Sequence, residues 1–317
     1  MVPADVRRAA ARRPALGPPA YGDEVRIVSL LPSTTEILFA LGVGDDVVGV
    51  TVECDHPAEA RTRRVVSGTT MPEGLDPAGI DAWVSAATAA GEDLYTLDAG
   101  ALADLDADLV LTQDLCAVCA IDVDTVDAAL DHLGCRAEVL SFDPHTLAGI
   151  AESIRTIGAR VGRSEAAAEL AGTVEALTPG ADDRAGPDED APRVVVLEWT
   201  DPPYAPGHWI PEMVEAAGGR CVLGTAGQRS VRVTWEDVAA ARPDLVVVAP
   251  CGFDRDGAQA QAEALEAAGV LPPGVPTYAV DADGHWARPG PRVVEGVADL
   301  RSALARLDPV RAGTRSR

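Results

Sequence analysis

Between residues 144 and 177 the chain keeps the period of an α-helix, while the stretches on either side keep the period of buried strands. Leu147, Ile150, Ile154, Ile157 and Val161 recur at spacings of three and four, which lines one helix face with apolar groups that must be covered. Gly162 interrupts the pattern. Ser164-Glu165 then supplies a cap and an acidic first turn for a second segment that stops near Pro179-Gly180. The sequence therefore predicts either one kinked helix or two abutting ones. Such a connector fixes the distance between the two flanking halves of the chain, where a flexible tether would not.

Both flanking halves alternate strands with helices. The first half predicts strands at 25–30, 47–51, 64–66, 107–113 and 138–142, helices at 32–42, 80–90, 97–105 and 123–133, and a turn at 68–70. The second predicts strands at 193–197, 242–248 and 275–280, helices at 211–217, 258–268 and 292–307, another beginning at Thr234, and a loop over 283–290. Unbroken apolar runs such as Val194-Val195-Val196 mark parallel strands covered on both faces. Asp108-Leu109-Val110-Leu111 and Asp244-Leu245-Val246-Val247 hold matching places, a weak internal duplication. The expected plan is α/β: two lobes with mainly parallel sheets joined by a long backbone helix. Its parts are a disordered segment at 1–24, an N-terminal lobe at 25–143, the helical connector at 144–178, an acidic linker at 179–192, a C-terminal lobe at 193–308 and a disordered tail at 309–317.

Charge narrows the function. The chain of 317 residues carries 50 acids against 26 bases, a net charge of -24, which argues against a nucleic-acid partner because phosphates call for clustered cations. Every base is arginine. The absence of lysine excludes Schiff-base chemistry and the phosphate-gripping lysine of a P-loop. The first residues hold Arg7-Arg8, Arg12-Arg13 and several prolines without an apolar core, so no signal peptide is expected. With no long uncharged apolar window the chain is not membrane-embedded, and the expectation is a cytoplasmic monomer whose six cysteines are reduced.

In parallel sheets, ligands bind beyond the carboxyl ends of the strands. Those exits carry Ser33, His56 and Gln113 in the first half, and Trp199, Tyr204, His208, Trp209, Phe253 and Trp286 in the second. Aromatics make up only 4% of the chain, yet four of its five Trp lie in the second half, three of them in expected loops, which favours a flat apolar ligand held by rings. Trp83, on the 80–90 helix, reads as a packing residue. Cys54, Cys116, Cys119 and Cys251 also fall at strand exits, a candidate thiolate metal site with His56 nearby, whereas Cys135 and Cys221 read as core.

Several stretches together resemble a known family. Arg26-Ile27-Val28-Ser29-Leu30-Leu31-Pro32-Ser33-Thr34-Thr35-Glu36, the Cys54-Asp55-His56-Pro57 turn, the segment from Trp199 to Trp209, and Trp286-Ala287-Arg288-Pro289-Gly290-Pro291-Arg292 are similar to the substrate-binding proteins of cobalamin and iron-siderophore ABC importers, the cobalamin-binding branch above all. The resemblance spans 25–307. It implies the class III periplasmic-binding-protein-like arrangement, with a corrinoid clamped between lobes that move little. It places His56 where cobalamin binders carry a Tyr, Tyr204 and Trp286 at ring-bearing contact positions, and Asp98 and Glu236 at the carboxylates offered, one per lobe, to arginines of an ABC permease. This sequence departs from the pattern in its missing export segment, in Asp rather than Glu at 98, and in an apparent insertion over 74–95.

The expected function is therefore a non-enzymatic binding protein for cobalamin or a related corrinoid. A cytoplasmic metal- or thiol-dependent enzyme or sensor acting on a corrinoid is the alternative that the cysteines suggest. A ferric-siderophore binder is another, for which Arg229, Arg232 and Arg288 would have to converge on the cleft.

Overall fold

The computed structural model describes residues 25–90, 92, 94–98, 101, 104–113, 137–178 and 189–314, with 308–314 in backbone only. In chain order the first lobe comprises β1 (Ile27–Ser29), α1 (Pro32–Ala40), β2 (Val47–Thr51), β3 (Arg64–Thr69), α2 (Pro77–Ala90), β4 (Tyr95–Leu97), β5 (Leu109–Gln113) and β6 (Glu138–Phe142). Helices α3 (Leu147–Arg160) and α4 (Ser164–Glu175) come next. The second lobe comprises β7 (Arg193–Leu197), β8 (Trp199–Thr200), β9 (Pro203–Ala205), α5 (Ile210–Ala216), β10 (Arg220–Cys221), β11 (Val231–Arg232), α6 (Trp235–Ala240), β12 (Leu245–Val248), α7 (Arg255–Ala268), β13 (Thr277–Ala279), α8 (Ala282–His285) and α9 (Val293–Thr314).

The first sheet runs β4-β3-β2-β1-β5-β6, parallel except for the antiparallel β3–β4 pair. The main sheet of the second lobe is the parallel β10-β7-β12-β13. This is the two-lobed α/β architecture that the strand pattern requires. The internal duplication reaches beyond the two Asp-led strands. The Arg26 amide donates to Asp108 at 2.9 Å and the Arg193 amide to Asp244 at 2.8 Å. Each arginine's Nε also donates to a carbonyl just before that Asp, of Leu105 at 2.6 Å and of Arg242 at 2.9 Å. In both lobes the opening strand is thereby pinned to a parallel neighbour at its amino end, which leaves the carboxyl ends free for a site.

The connector is a helical hairpin. Gly162 takes the left-handed conformation at φ 67°, and α4 folds back on α3. The two helices touch where Gly158 meets Ala167: a Cβ on Gly158 would lie 2.1 Å from the Ala167 Cβ. Arg155 and Glu175 pair across the far end. The buried face of α3 joins Ile27, Ile37 and Leu111 of the first lobe to Val194, Trp209 and Val297 of the second in one apolar core. Glu212 of α5 accepts the first amide of α3, from Leu147, at 2.6 Å, so the second lobe also holds the positive end of the helix.

Several local expectations are corrected. Residues 68–70 do not turn, since β3 continues to Thr69, and Leu97 ends strand β4 rather than opening a helix, because 95–97 pairs with 67–69. The helix expected at 32–42 opens without a side-chain cap. Pro32 at its first position makes Leu31 the cap residue, and the Thr34 and Thr35 hydroxyls turn back onto the Leu31 carbonyl. Residues 283–290 overlap α8 instead of forming a plain loop, and Trp199 and Tyr204 lie in a small antiparallel sheet, β11-β9-β8. The 123–133 helix and the segments 1–24 and 315–317 lie outside the described residues. Among the described residues no helix is long and apolar enough to cross a membrane.

The close crossing at Gly158 gives a test. Gly158→Ala forces α3 and α4 apart against a packed core and is expected to lower stability by about 1–3 kcal/mol, read as a shift in urea midpoint at unchanged m-value.

Candidate functional site

The lobes meet through a buried charge cluster. Arg288, 8% exposed, lies just past α8 in the second lobe and reaches into the first. Its Nη1 donates to Glu36 Oε1 at 3.1 Å and to Asp55 Oδ1 at 2.6 Å, and its Nη2 to Asp283 Oδ2 at 2.6 Å. Arg292 stands 3.5 Å from Glu36. With the exposed Arg61 3.4 Å from Asp55, three carboxylates thus face three guanidinium groups. Burial pushes the Glu36 carboxyl up to about 7 despite the opposing pull of Arg288 and Arg292. Burial acts on Asp55 in the same direction, yet the hydrogen bond and charge of Arg288 outweigh it and hold Asp55 below the ordinary range. The second oxygen of Glu36 has no hydrogen-bond partner, which suits a protonated, neutral acid in that seat. The motifs at 33–36, 54–57 and 286–292 are therefore first of all a cross-lobe clasp.

Beside the clasp, Ser33 and Gln113 end up together. Both are buried, and with Leu31, Phe142, Pro144 and Pro289 they line a cavity of about 10 Å³ at the carboxyl ends of β1 and β5. That is room for about one water molecule. His56 sits exposed on the outer rim of the clasp, its basicity lowered by partial burial and by Arg292.

The rings divide into two groups. Trp199 and Tyr204 are direct partners across β8 and β9, and Tyr204 is opposite Arg232 across β11, so the three side chains share one face of the small sheet. Phe253 stands 5.9 Å from the Trp199 ring, centroid to centroid. This row is a partly exposed aromatic platform. The expectation for Trp209 and Trp286 as cleft contacts is corrected: they are 5% and 1% exposed and belong to the core. Trp209 donates its indole hydrogen to the Trp286 carbonyl at 2.9 Å, and the Trp286 ring packs against Gly296 of α9, where a Cβ would come within 3.1 Å of Nε1. A bulky indole at the end of α8 is buried because the facing helix offers a glycine.

His208, half-buried at φ 50°, is held by its amide bond to the Gln228 carbonyl at 2.6 Å. Its ring lies 5.3 Å from that of His145, at the start of the connector, and burial together with His145 lowers its affinity for a proton. Glu198, at the exit of β7, anchors the same loops through the Gly207 amide at 3.1 Å and the Ser230 hydroxyl, and burial raises its carboxyl to about 7.

The metal expectation is corrected as far as the residues are described. The Cys54 thiol is buried against the Thr35 hydroxyl at 3.0 Å, with its pKa pushed up to about 11 by burial, while Cys251 is exposed. No group of three His, Cys, Asp or Glu among the described residues is arranged to hold a metal ion. Cys116, Cys119 and Cys135 lie outside the described residues. The arginines that a siderophore would need do not converge either: Arg288 is spent in the clasp, and Arg229 and Arg232 are exposed. Sequence reasoning missed the clasp, Glu198, and Asp81 of α2, which accepts the Tyr204 hydroxyl at 3.3 Å.

A family model described as periplasmic binding protein matches residues 27–268. The chain belongs to the periplasmic binding protein family. Members of this family bind solutes. A protein of Halobacterium salinarum named "Cobalamin-binding protein" is 28% identical over 289 residues, covering 88% of this chain and 69% of that relative. Among solved structures, the periplasmic heme-binding protein RhuT of Roseiflexus sp. RS-1 has a TM-score of 0.61 at 23% identity, covering 90% of this chain and 99% of that one. The periplasmic vitamin B12 binding protein BtuF of Vibrio cholerae has a TM-score of 0.57 at 21% identity, covering 89% and 97%. These structural likenesses establish a shared two-lobed fold.

Two outcomes test the clasp. Arg288→Ala leaves the buried Glu36 with Arg292 alone and Asp55 with the exposed Arg61, and is expected to cost roughly 3–5 kcal/mol, read by urea denaturation at pH 7, with part of the loss recovered in Arg288→Ala/Glu36→Gln. A carboxyl raised in the folded protein stabilises it fully below the unfolded value and ceases to do so as pH climbs through the folded one. For Glu36 that window runs from the ordinary value of 4.5 to about 7. Glu36→Gln is therefore expected to lose less stability than wild type between pH 5 and 8, by roughly 1–3 kcal/mol, with the residual slope shared by the other raised carboxyls, Glu53, Glu198, Glu212 and Asp283.

Proposed function

We propose that this protein is a binding protein for cobalamin or a related corrinoid, held between its two lobes, and that it performs no chemistry on the ligand. The observation that carries this reading is the platform of Trp199, Tyr204 and Phe253 at the exits of β7 and β12. Neighbouring rings, two of them on one sheet face, receive a flat, largely apolar macrocycle. The extended likeness to a relative named for cobalamin binding supports the same ligand. A corrinoid carries peripheral amides rather than a cluster of anionic groups, so it tolerates an acidic protein whose nearest buried arginine is already neutralised by carboxylates.

As a binding protein of an importer, the chain would present one exposed carboxylate from each lobe to arginines of an ABC permease. Asp98 and Glu236 are both exposed. Asp98 accepts the Ala101 amide at 2.8 Å, which fixes its direction, and Glu236 stands in the first turn of α6 behind a Thr234–Asp237 capping box. A cytoplasmic location would instead make the protein a carrier that meets no permease. Cell fractionation with an antibody to the full chain separates the two.

The ligand is tested by calorimetric titration of the full chain with cyanocobalamin, hemin and a ferric siderophore in parallel. The expected outcome is one-to-one binding of cyanocobalamin, weakened about ten-fold or more in Trp199→Ala. Binding of hemin alone or of the siderophore alone would overturn the assignment.

A further inference from the structure

The segment at 74–95 reads as an insertion relative to the family pattern, and the structure shows where it goes. It rises from the antiparallel β3–β4 pair as helix α2 and lies against the aromatic platform of the other lobe. The Trp199 indole donates to the Pro77 carbonyl at 3.1 Å, and the Tyr204 hydroxyl donates to Asp81 Oδ1 at 3.3 Å. Both platform groups that would face a ligand are thus engaged by the same helix. Burial and the adjacent Asp81 raise the Tyr204 phenol, as expected for a hydroxyl that donates to a carboxylate.

The helix is lightly seated. Its apolar residues Ile80, Trp83, Val84 and Ala87 form a stripe at helical spacing, yet only Ala87 is buried. Asp76 caps its first turn through the Gly79 amide at 2.8 Å, so the helix can move as a unit without unravelling. Gly74, ahead of it, takes φ 78° with no atom near the place of a Cβ, a free pivot above the paired ends of β3 and β4. The cavity at the carboxyl ends of β1 and β5 measures about 10 Å³, whereas pockets for drug-sized ligands run to several hundred Å³. A macrocycle therefore needs something to move. Parting the lobes means pulling Arg288 away from the buried Glu36 and the half-buried Asp55 and dividing one continuous core. Lifting α2 breaks two partly exposed hydrogen bonds.

We propose that α2 is a lid over the Trp199–Tyr204 platform, and that a flat ligand seats itself by displacing Asp81 and the Pro77 carbonyl from those two side chains. The half-covered stripe of Ile80, Trp83 and Val84 then closes over the ligand and makes this helix a determinant of what the site accepts. The ligand class rests on the corrinoid reading above; the movement of the helix does not.

Two measurements test this on the full chain. The first is stopped-flow association of cyanocobalamin with wild type, with Asp81→Ala, and with a variant in which residues 72–92 are replaced by a short glycine turn. Removing one latch bond is expected to raise the association rate about three- to ten-fold, and the excised variant should bind at least as fast and release faster. The second needs no ligand: α2 amides are expected to exchange with solvent about a hundred-fold faster than those of α1, and faster again in Asp81→Ala. Association rates equal to wild type in Asp81→Ala, or α2 amides as protected as those of α1, would overturn the lid. Failure of wild type to bind cyanocobalamin would overturn the ligand instead, and leave the exchange result to judge the helix.

Discussion

The contact between Arg288 and the carboxylates of Glu36, Asp55 and Asp283 decides how the two halves stand to one another. It joins the start of α1 and the turn after β2 in one lobe to the turn after α8 in the other. Arg292 stands beside Glu36 and the exposed Arg61 beside Asp55, and burial raises the Glu36 carboxyl to about 7 despite these cations. Such a cluster adds little net stability over an apolar replacement, but breaking it is costly. It therefore acts on geometry: it fixes where the strand exits of the first lobe face the ring platform of the second. The α3–α4 hairpin sets the same distance from behind, with Gly158 tight against Ala167 and the Glu212 carboxylate on the first amide of α3.

A frame held in this way gives the ligand surface a particular character. Polar groups from the first lobe, Ser33 and Gln113, sit deep and close together, whereas the rings of the second lobe lie higher, on a small sheet of their own. Helix α2 of the first lobe lies against those rings through Pro77 and Asp81.

Much of this plan is legible in the residues. Apolar runs beginning with Asp mark an interior strand of each sheet, and the connector's spacing marks its buried face, since periodicity records burial directly. The small sheet is not legible: strands of two and three residues containing Pro203 leave no alternation to read. Trp209 and Trp286 are misplaced by their sequence positions, because a strand exit says which end of the sheet a residue occupies, not which way its side chain turns. For Trp286 that choice is made by Gly296 on the facing helix. Cys54 misleads for the same reason, its thiol turning inward onto Thr35. Arg288 resembles a ligand-seeking cation because Glu36 and Asp55 lie 252 and 233 residues before it, and pairing over that distance leaves no local trace.

The central claim is that a corrinoid lies between the lobes and touches both. Its most direct test is amide hydrogen exchange of the full chain with and without saturating cyanocobalamin. The account predicts added protection in both the turn from Leu30 to Ser33 and the β8–β9 hairpin. Protection confined to one lobe, or none in either segment, would contradict it.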